Sequence, residues 1–217
     1  MGLAETRAAI IRESVRLFSE RGYEKTTVQA IIDAVGVSKG AFYHHFSSKE
    51  EIVQAITRDY ITEGLETLQE AASQEGLSAV EKLNRMIETS QLFKSQRRDT
   101  REAMEKAFSD AGNLKLEKAI VETLRTQTVP LFAGILQEGI SNGEFRIDNA
   151  EEHAEILFRL LLGMKQSLRE RMQVGADPET LQVMLRVYED AACRVLRLPE
   201  GSLHLALPYT SRVLDTR

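Results

Sequence analysis

The sequence predicts an all-α protein with about nine helices. Apolar residues recur along most of the 217-residue chain at the three- and four-residue spacing of a helix. The 4 prolines and 13 glycines fall mostly between these periodic segments, which leaves too few turns for an all-β chain. Hydrophobic residues make up 42% of the chain and its formal net charge is −5, a balance that excludes disordered and fibrous proteins.

Length and cysteine content set further limits. A chain of this length can bury a core as one large domain or two small ones. The single cysteine, Cys193, has no partner for a disulfide within the chain. No segment has the pattern of a secretory signal or the roughly 18 uninterrupted apolar residues of a membrane span. We therefore expect a cytoplasmic protein.

The second and third predicted helices are short and follow the first closely. Glycine is favoured just after a helix, so Gly22 and Gly36 mark the ends of the first and second helices. Thr26 and Thr27 are the candidate N-caps of the second helix, and Ser38 is that of the third. The predicted ranges are Glu5–Glu20, Val28–Val35 and Ser38 to about Phe46.

Six further helices are separated by residues that favour turns. Ser47 and Ser48 precede Glu50 and Glu51 by three residues, the spacing of a capping box, and begin a fourth helix that reaches about Ala72. Pro130 lies inside the long seventh helix and is expected to kink it. The other predicted ranges are Ser78–Ser95, Thr100–Ser109, Leu114–Ser141, Ala150–Met172 and Pro178–Arg197.

Residues 27–49 have the layout of a helix-turn-helix, with a short helix on either side of a glycine-containing turn. Phe42 and Phe46 are one helical turn apart and are expected to pack inward. The other side chains expected to face inward are Val28, Ile31, Ile32, Val35, Val37 and Ala41. The residues then left outside are Lys39, Gly40, Tyr43 and His44.

The charge of this segment differs from that of the whole chain. From Ala34 to Lys49 there are two lysines, two histidines and no acidic residue. Duplex DNA repels an acidic protein as a whole, so binding to DNA requires positive groups gathered where the phosphates lie. The segment therefore predicts a nucleic-acid-binding surface.

Four motifs occur in order between residues 5 and 60: I-I-R-E-S-V-R-L-F-S-E-R-G-Y, T-T-V, I-I-D-A-V-G-V-S-K-G-A-F-Y-H-H-F and S-S-K-E-E-I. As an ordered set they resemble the tetracycline-repressor (TetR) family of bacterial transcription regulators. The resemblance implies a dimer that binds a near-palindromic operator, with the third helix in the major groove and an effector pocket in a helical C-terminal domain. One departure is Ile32, which stands where a small alanine is typical and is expected to widen the angle between the two helices.

The resemblance also implies roles for individual residues. Phosphate contacts are implied for Thr27, Tyr43, His44 and Lys49. Ser38, Lys39 and Gly40 match the leading end of the recognition helix, which reaches bases or phosphate. Direct reading of bases is expected from Lys39, Gln29, Ala41 or His45, since lysine suits guanine, glutamine suits adenine and a methyl group can meet thymine.

Other residue types that can carry chemistry are expected to be structural. His44 and His45 point about 100° apart on a helix, and the remaining histidines are far away in sequence, so we predict no metal site. Cys193 is expected to be a small buried core residue. No nucleotide-binding, metalloprotease or serine-hydrolase motif occurs, and we predict neither an enzyme nor a cofactor.

The last two helices are apolar on more than one side. Each is expected to bury one side in its own subunit and another in a second copy, as a four-helix bundle that the resemblance also implies. A thicker core within one chain is the alternative. The residues expected at the dimer interface are Phe158, Leu161, Met164, Leu168, Met184, Val187, Tyr188 and Ala191.

An effector pocket is expected among the helices between Ser78 and Ser141. Methionine and phenylalanine are adaptable lining for an apolar ligand, although each candidate can equally belong to the core. The candidates are Met86, Phe93, Met104, Phe108, Leu131, Phe132 and Leu136.

The sequence therefore predicts a ligand-responsive dimeric regulator, more in keeping with a repressor than an activator, whose partners are operator DNA, a small-molecule effector and a second copy. Residues 4–64 are the predicted DNA-binding domain, with the helix-turn-helix at about 27–46. Residues 65–198 are the predicted ligand-binding and dimerisation domain, and 199–217 a tail expected to be poorly ordered. The alternative is a helical ligand-binding or adaptor protein whose DNA head no longer binds.

Overall fold

The computed structural model describes residues 2–108 and 114–205, with side chains described for 2–108 and 118–205. All regular structure in these ranges is helical, and the predicted all-α class is confirmed. The helices are α1 (Leu3–Arg21), α2 (Val28–Val35), α3 (Lys39–His45), α4 (Lys49–Ala72), α5 (Ala79–Gln96), α6 (Arg98–Phe108), α7 (Leu114–Ser141), α8 (Ala150–Gln173) and α9 (Pro178–Val195). None of these described helices is long and apolar enough to cross a membrane.

The described residues divide into two compact units. The first is drawn from Met1–Glu63 and Gln96–Glu122, and the second from Gly64–Ser95 and Thr123–Arg217. Helix α6 therefore belongs with the N-terminal helices, whereas it falls within residues 65–198, the predicted ligand-binding and dimerisation domain. The physical reason is that α6 packs against α1 and buries Ala103, Met104 and Ala107 in the core of the first unit.

The predicted caps explain where the helices of the first unit begin and end. Thr27 accepts a hydrogen bond from the Ala30 N–H at 3.1 Å, and Ser38 accepts one from the Ala41 N–H at 3.1 Å. Gly36 ends α2 in the left-handed conformation, with φ 73°, and its N–H donates to the Ile32 carbonyl. Thr26 is not a cap, because its hydroxyl is turned inward and donates to the Gly22 carbonyl at 2.8 Å.

One apolar cluster holds the first unit together. Phe18, Ile31 and Phe42 are completely buried in it, and Ile32 is 5% exposed. Val28, Val35 and Val37 pack against it as partly buried residues. The inward set predicted for the helix-turn-helix is thereby confirmed except for Ala41, which is half-buried without belonging to the cluster.

The second unit has two apolar clusters. The larger contains Leu83 from α5, Leu136 from α7 and Leu157 from α8, all nearly inaccessible to solvent. The smaller lies among α5, α8 and α9 and contains Ile87, Leu168 and Leu185. Cys193 is 1% exposed in the larger cluster, as expected. Helix α7 continues through Pro130, and the kink stays a prediction.

The segment after α9 differs from the expectation. Residues 199–205 pack onto the second unit, where Leu203 is 1% exposed and Leu205 is 5% exposed. Their apolar alternation spans only three residues, too short to be noticed as a period in the sequence. The rest of the predicted tail, 206–217, lies outside the described residues, as do Ser109 at the predicted end of the sixth helix and the predicted turn after it, at 110–113.

Candidate nucleic-acid interface

Helix α3 presents one buried and one exposed face. Phe42 is completely buried and Phe46 is 3% exposed, and these two rings fix α3 to the core of the first unit. The residues on the exposed face are Lys39, Gly40, Tyr43 and His44, as predicted. A short helix anchored by two phenylalanines thus holds four hydrophilic or small residues towards solvent.

Tyr43 is the large side chain of this face. It is 48% exposed, and its ring stands edge-on to the Phe42 ring with 5.4 Å between centroids. The Lys39 ammonium lies 6.0 Å from the centroid of the Tyr43 ring. The buried neighbour orients the ring, so the phenolic hydroxyl is presented together with a positive charge on one surface.

The two N-cap hydroxyls lie at the starts of α2 and α3. Thr27 and Ser38 are both exposed, and each oxygen already accepts a backbone N–H. A hydroxyl group is also a donor, so capping the helix leaves its hydrogen available to an external acceptor such as a phosphate oxygen.

Lys49 has partners within the protein. Its ammonium donates to the Tyr23 carbonyl at 2.9 Å and lies 4.3 Å from the centroid of the Tyr23 ring. The Tyr23 hydroxyl in turn donates to Glu50 at 2.8 Å. The pKa of Glu50 is lowered, chiefly by its own backbone N–H and next by the Tyr23 hydroxyl, so the carboxylate is ionised at neutral pH. An ammonium has three donors, and two remain for a phosphate.

The base-reading candidates differ in accessibility. Gln29 is exposed, and its amide donates to Asp33 at 2.7 Å, which leaves its carbonyl oxygen as an acceptor. Ala41 and His45 are half-buried. The His45 ring stands edge-on to that of His44, with 5.2 Å between centroids. Gln29 and Lys39 are therefore the two exposed candidates of the four.

Sequence reasoning missed three residues of this surface. Tyr23 holds Lys49 and Glu50 in turn holds Tyr23, and these contacts join positions 26 and 27 residues apart, which no local pattern reveals. Asp33 was overlooked although it lies four residues after Gln29, the spacing at which helical side chains meet. That spacing is a signal that could have found it.

The effector-pocket candidates fall into different parts of the protein. Met86, Leu131, Phe132 and Leu136 all belong to the larger cluster of the second unit or pack against it. Phe93 lies elsewhere in that unit, with its ring against Gly64. Met104 and Phe108 belong to the core of the first unit instead, because α6 packs against α1. Five of the seven candidates therefore belong to the second unit and two to the first.

The candidate dimer residues also differ in how far they are buried. Val187 is 62% exposed, whereas Leu168 and Met184 are buried between α8 and α9 of the same chain. The half-buried candidates are Phe158, Leu161, Met164, Tyr188 and Ala191. Three exposed apolar residues of these helices were not among the candidates: Ile156 and Met172 on α8, which are 47% and 43% exposed, and Val183 on α9, which is 47% exposed. Leu168 and Met184 thus face the core of their own chain. They were predicted at the interface because the sequence shows two apolar sides on each helix without showing which side faces inward.

Two family descriptions match the chain. The family described as "Bacterial regulatory proteins, tetR family" matches residues 10–56, which include every candidate DNA-binding residue. The description "QacR-like protein, C-terminal region" matches residues 79–174.

Characterised relatives carry the same assignment over most of the chain. The HTH-type transcriptional repressor KstR2 of Mycolicibacterium smegmatis is 30% identical over 148 residues, 67% of this chain and 70% of the relative. The KstR2 repressor of Rhodococcus jostii is 30% identical over 169 residues, 74% of this chain and 76% of the relative.

Solved structures with the same fold include other regulators. A complex of SmeT with triclosan superposes with a TM-score of 0.68 at 22% identity, covering 94% of this chain and 97% of that one. The TetR-family regulator PfmR of Thermus thermophilus has a TM-score of 0.58 at 26% identity, covering 88% and 98% of the two chains. Regulators of this family bind operator DNA and small-molecule effectors and form dimers. The chain belongs to the TetR family of bacterial transcription regulators, and it is a DNA-binding regulator and not an enzyme.

Proposed function

We propose that this regulator is a repressor that binds a near-palindromic operator as a dimer, with one α3 in the major groove of each half-site, and leaves it when an effector binds. The observation that carries this proposal is the exposed face of α3. Over sixteen positions around it, from Ala34 to Lys49, the chain has four potential cations and no acid. A regulator that binds chromosomal DNA in a bacterium acts in the cytoplasm.

The proposed phosphate contacts have one chemical property in common: each residue offers a hydrogen-bond donor. Thr27 and Ser38 offer hydroxyls, Tyr43 a phenol, His44 an imidazole N–H and Lys49 an ammonium. Glycine at position 40 lets the backbone of α3 approach the DNA closely. These contacts fix the position of α3 in the groove without reading sequence.

Base reading is proposed for the side chains beside these contacts. Lys39 stands at the first position of α3 and can donate to the guanine acceptors O6 and N7. Gln29 would offer its carbonyl oxygen and remaining amide hydrogen, since Asp33 already takes one. The methyl of Ala41 and the ring of His45 complete the proposed set.

The dimer contact is proposed on the outward faces of α8 and α9. Val183 and Val187 are four residues apart, so they share one face of α9, and Ile156 is an exposed apolar residue of α8. Exposed β-branched residues on adjacent helices support a contact with the same surface of a second copy.

The effector is proposed to bind in the second unit. Met86 and Phe132, from α5 and α7, have side chains that adapt to an apolar ligand. The fold itself is compatible with such a ligand, because a complex of SmeT with triclosan has the same fold.

Selection from a pool of random duplexes tests operator recognition and identifies the operator in the same experiment. The expected result is enrichment of two inverted half-sites, and Lys39→Ala should then relax the preference at one position of each half-site. Arg186→Ala, which removes an exposed cation from the second unit, is the matched control and should select the same sequence. Absence of any enriched duplex would contradict the proposal and favour a protein whose DNA head no longer binds.

A further inference from the structure

The segment that follows α9 turns back onto the second unit. Gly201 has φ 77°, which a glycine adopts readily, and the Ser202 N–H donates to the Pro199 carbonyl at 3.2 Å across the turn. The turn is reinforced by the Ser202 hydroxyl, which donates to the same carbonyl at 2.7 Å. The chain beyond the turn is thereby aimed at the surface of its own unit.

Two side chains bind the backbone of this segment. The Asn84 amide on α5 donates to the Ser202 carbonyl at 2.8 Å, and its oxygen accepts the His204 N–H at 2.9 Å. On α9, Glu189 accepts the Leu205 N–H at 2.6 Å. The side-chain amide of Asn84 thus hydrogen-bonds a backbone carbonyl and a backbone N–H two residues further on. A neighbouring strand in a sheet makes the same pair of hydrogen bonds with its own backbone.

Two leucines of the segment fill apolar positions. Leu203 is 1% exposed in the larger cluster of the second unit, and Leu205 is 5% exposed in the smaller one. His204 between them is exposed, so side chains alternate inward and outward as in an extended peptide. Both clusters also contain residues of α5 and α9, and the segment therefore links the two helices by side chain and by backbone.

We propose that residues 202–205 are a strap, docked as an internal peptide ligand on α5 and α9, which holds α9 in the position required for dimer formation. The inference on dimer formation rests on the proposed function. Helix α9 buries Leu181, Met184 and Leu185 on the side that the smaller cluster shares with Leu205. Its other side exposes Val183 and Val187. Release of the strap removes a fixed support from the inner side of α9 and so disturbs the outer side.

Hydrogen exchange of the full-length chain tests the docking. The amides of His204 and Leu205 should exchange more slowly than in an unstructured peptide. Asn84→Ala should accelerate exchange at His204 roughly three- to tenfold, because the bonds made by the Asn84 side chain are lost. The matched control is Asn142→Ala at the end of α7, which should leave both amides unchanged. Exchange of the wild-type amides at the unstructured rate would overturn the strap.

Sedimentation equilibrium tests the consequence for the dimer. Leu203→Asp, and a chain ending at Leu198, should raise the dimer dissociation constant roughly tenfold or more with unchanged helical circular dichroism. If either protein does not fold, Asn84→Ala provides the measurement, with a smaller rise expected. Wild-type dimer affinity in variants whose strap is released would overturn the coupling. A wild-type chain that is monomeric at high concentration would overturn both the proposed dimer and the coupling, while the exchange rates would still decide whether the strap is docked.

Discussion

Lys49 has a structural role and a proposed DNA-binding role, and a single substitution affects both. Its ammonium joins the start of α4 to the Tyr23 carbonyl, and it is also the proposed phosphate contact at that helix. The first role contributes to the stability of the folded head, and the second to DNA affinity. Experiments on this residue therefore have to separate folding from binding.

Lys49→Ala should weaken binding to all duplexes and flatten its salt dependence. One phosphate per subunit is no longer neutralised, so the slope of log affinity against log salt should fall by roughly two units per dimer, at about 0.9 each. The free energy of unfolding should fall as well, by about 1 kcal/mol for the lost hydrogen bond. Arg186→Ala serves as the control of equal charge change. If the slope of log affinity against log salt is unchanged in a folded variant, Lys49 does not contact phosphate and has a structural role only.

Tyr43→Phe removes one hydroxyl from the exposed face of α3. Because Tyr43 is 48% exposed and packs on Phe42 through its ring, the variant should keep the wild-type stability. Operator affinity should fall by about 0.5 to 1.5 kcal/mol per subunit, the range for one hydrogen bond. Titration of a labelled operator with both proteins measures this. Equal affinities would show that the phenol does not touch DNA.

At the scale of elements, most helix ends follow from short local patterns. Thr27, Ser38 and Gly36 act within three or four residues of their own position, so the sequence predicted that they cap helices and the structure confirms it. The inward face of the helix-turn-helix was predictable for the same reason, since Phe42 and Phe46 lie one turn apart. Local chemistry is sufficient for these features.

Features that depend on distant contacts were not predictable. Helix α6 has a clear apolar side, but nothing in its sequence says that α1 will cover it, so the packing of Met104 and Phe108 in the core of the first unit was not predicted. The partner of Lys49 was not predicted, because its contact with Tyr23 spans 26 positions. The identities of the exposed residues on α3 were predicted, while their partners required coordinates.

The cap of α4 gives a pH dependence to stability. Glu51 accepts the Ser47 N–H and the Ser47 hydroxyl, both at 2.7 Å, and these bonds lower its pKa from 4.5, the N–H more than the hydroxyl. A lowered pKa means that the carboxylate stabilises the folded state at neutral pH. This contribution is present above the unfolded pKa and is lost as pH falls through the folded one.

Glu51→Gln should therefore cost stability at neutral pH and progressively less in acid. Denaturant unfolding between about pH 7 and about pH 3 should show the wild type and the variant converging below the ordinary glutamate pKa. Glu24→Gln, an exposed carboxylate between α1 and α2, controls for the change in net charge. A difference that stays constant with pH would mean that Glu51 does not act through its ionised form.

At the scale of the whole molecule, a regulator with one recognition helix per chain depends on its dimer. The structure divides the sequence-predicted interface into inner and outer residues: Leu161 packs against both clusters of the second unit, whereas Val187 is 62% exposed. Hydrophobic periodicity identified two apolar sides on α8 and α9, but two such sides are equivalent until coordinates show which one the chain itself covers.

Leu161→Glu and Val187→Glu should consequently fail in different ways. A carboxylate at position 161 enters the core of its own subunit and should lower the free energy of unfolding by several kcal/mol. A carboxylate at position 187 should leave the monomer folded and dissociate the dimer, with operator affinity reduced roughly a hundredfold or more through lost avidity.

Gln182→Glu is the matched control for the second variant, because it adds the same charge to α9 about 140° around the helix from Val187. Light scattering combined with circular dichroism separates dissociation from unfolding for all three proteins. If Val187→Glu forms dimers with wild-type affinity, the dimer interface does not lie on this face of α9. A wild-type protein that is monomeric at micromolar concentration would remove the basis of two-half-site recognition, because a single α3 reads too few base pairs to compete with the non-specific sites of a genome.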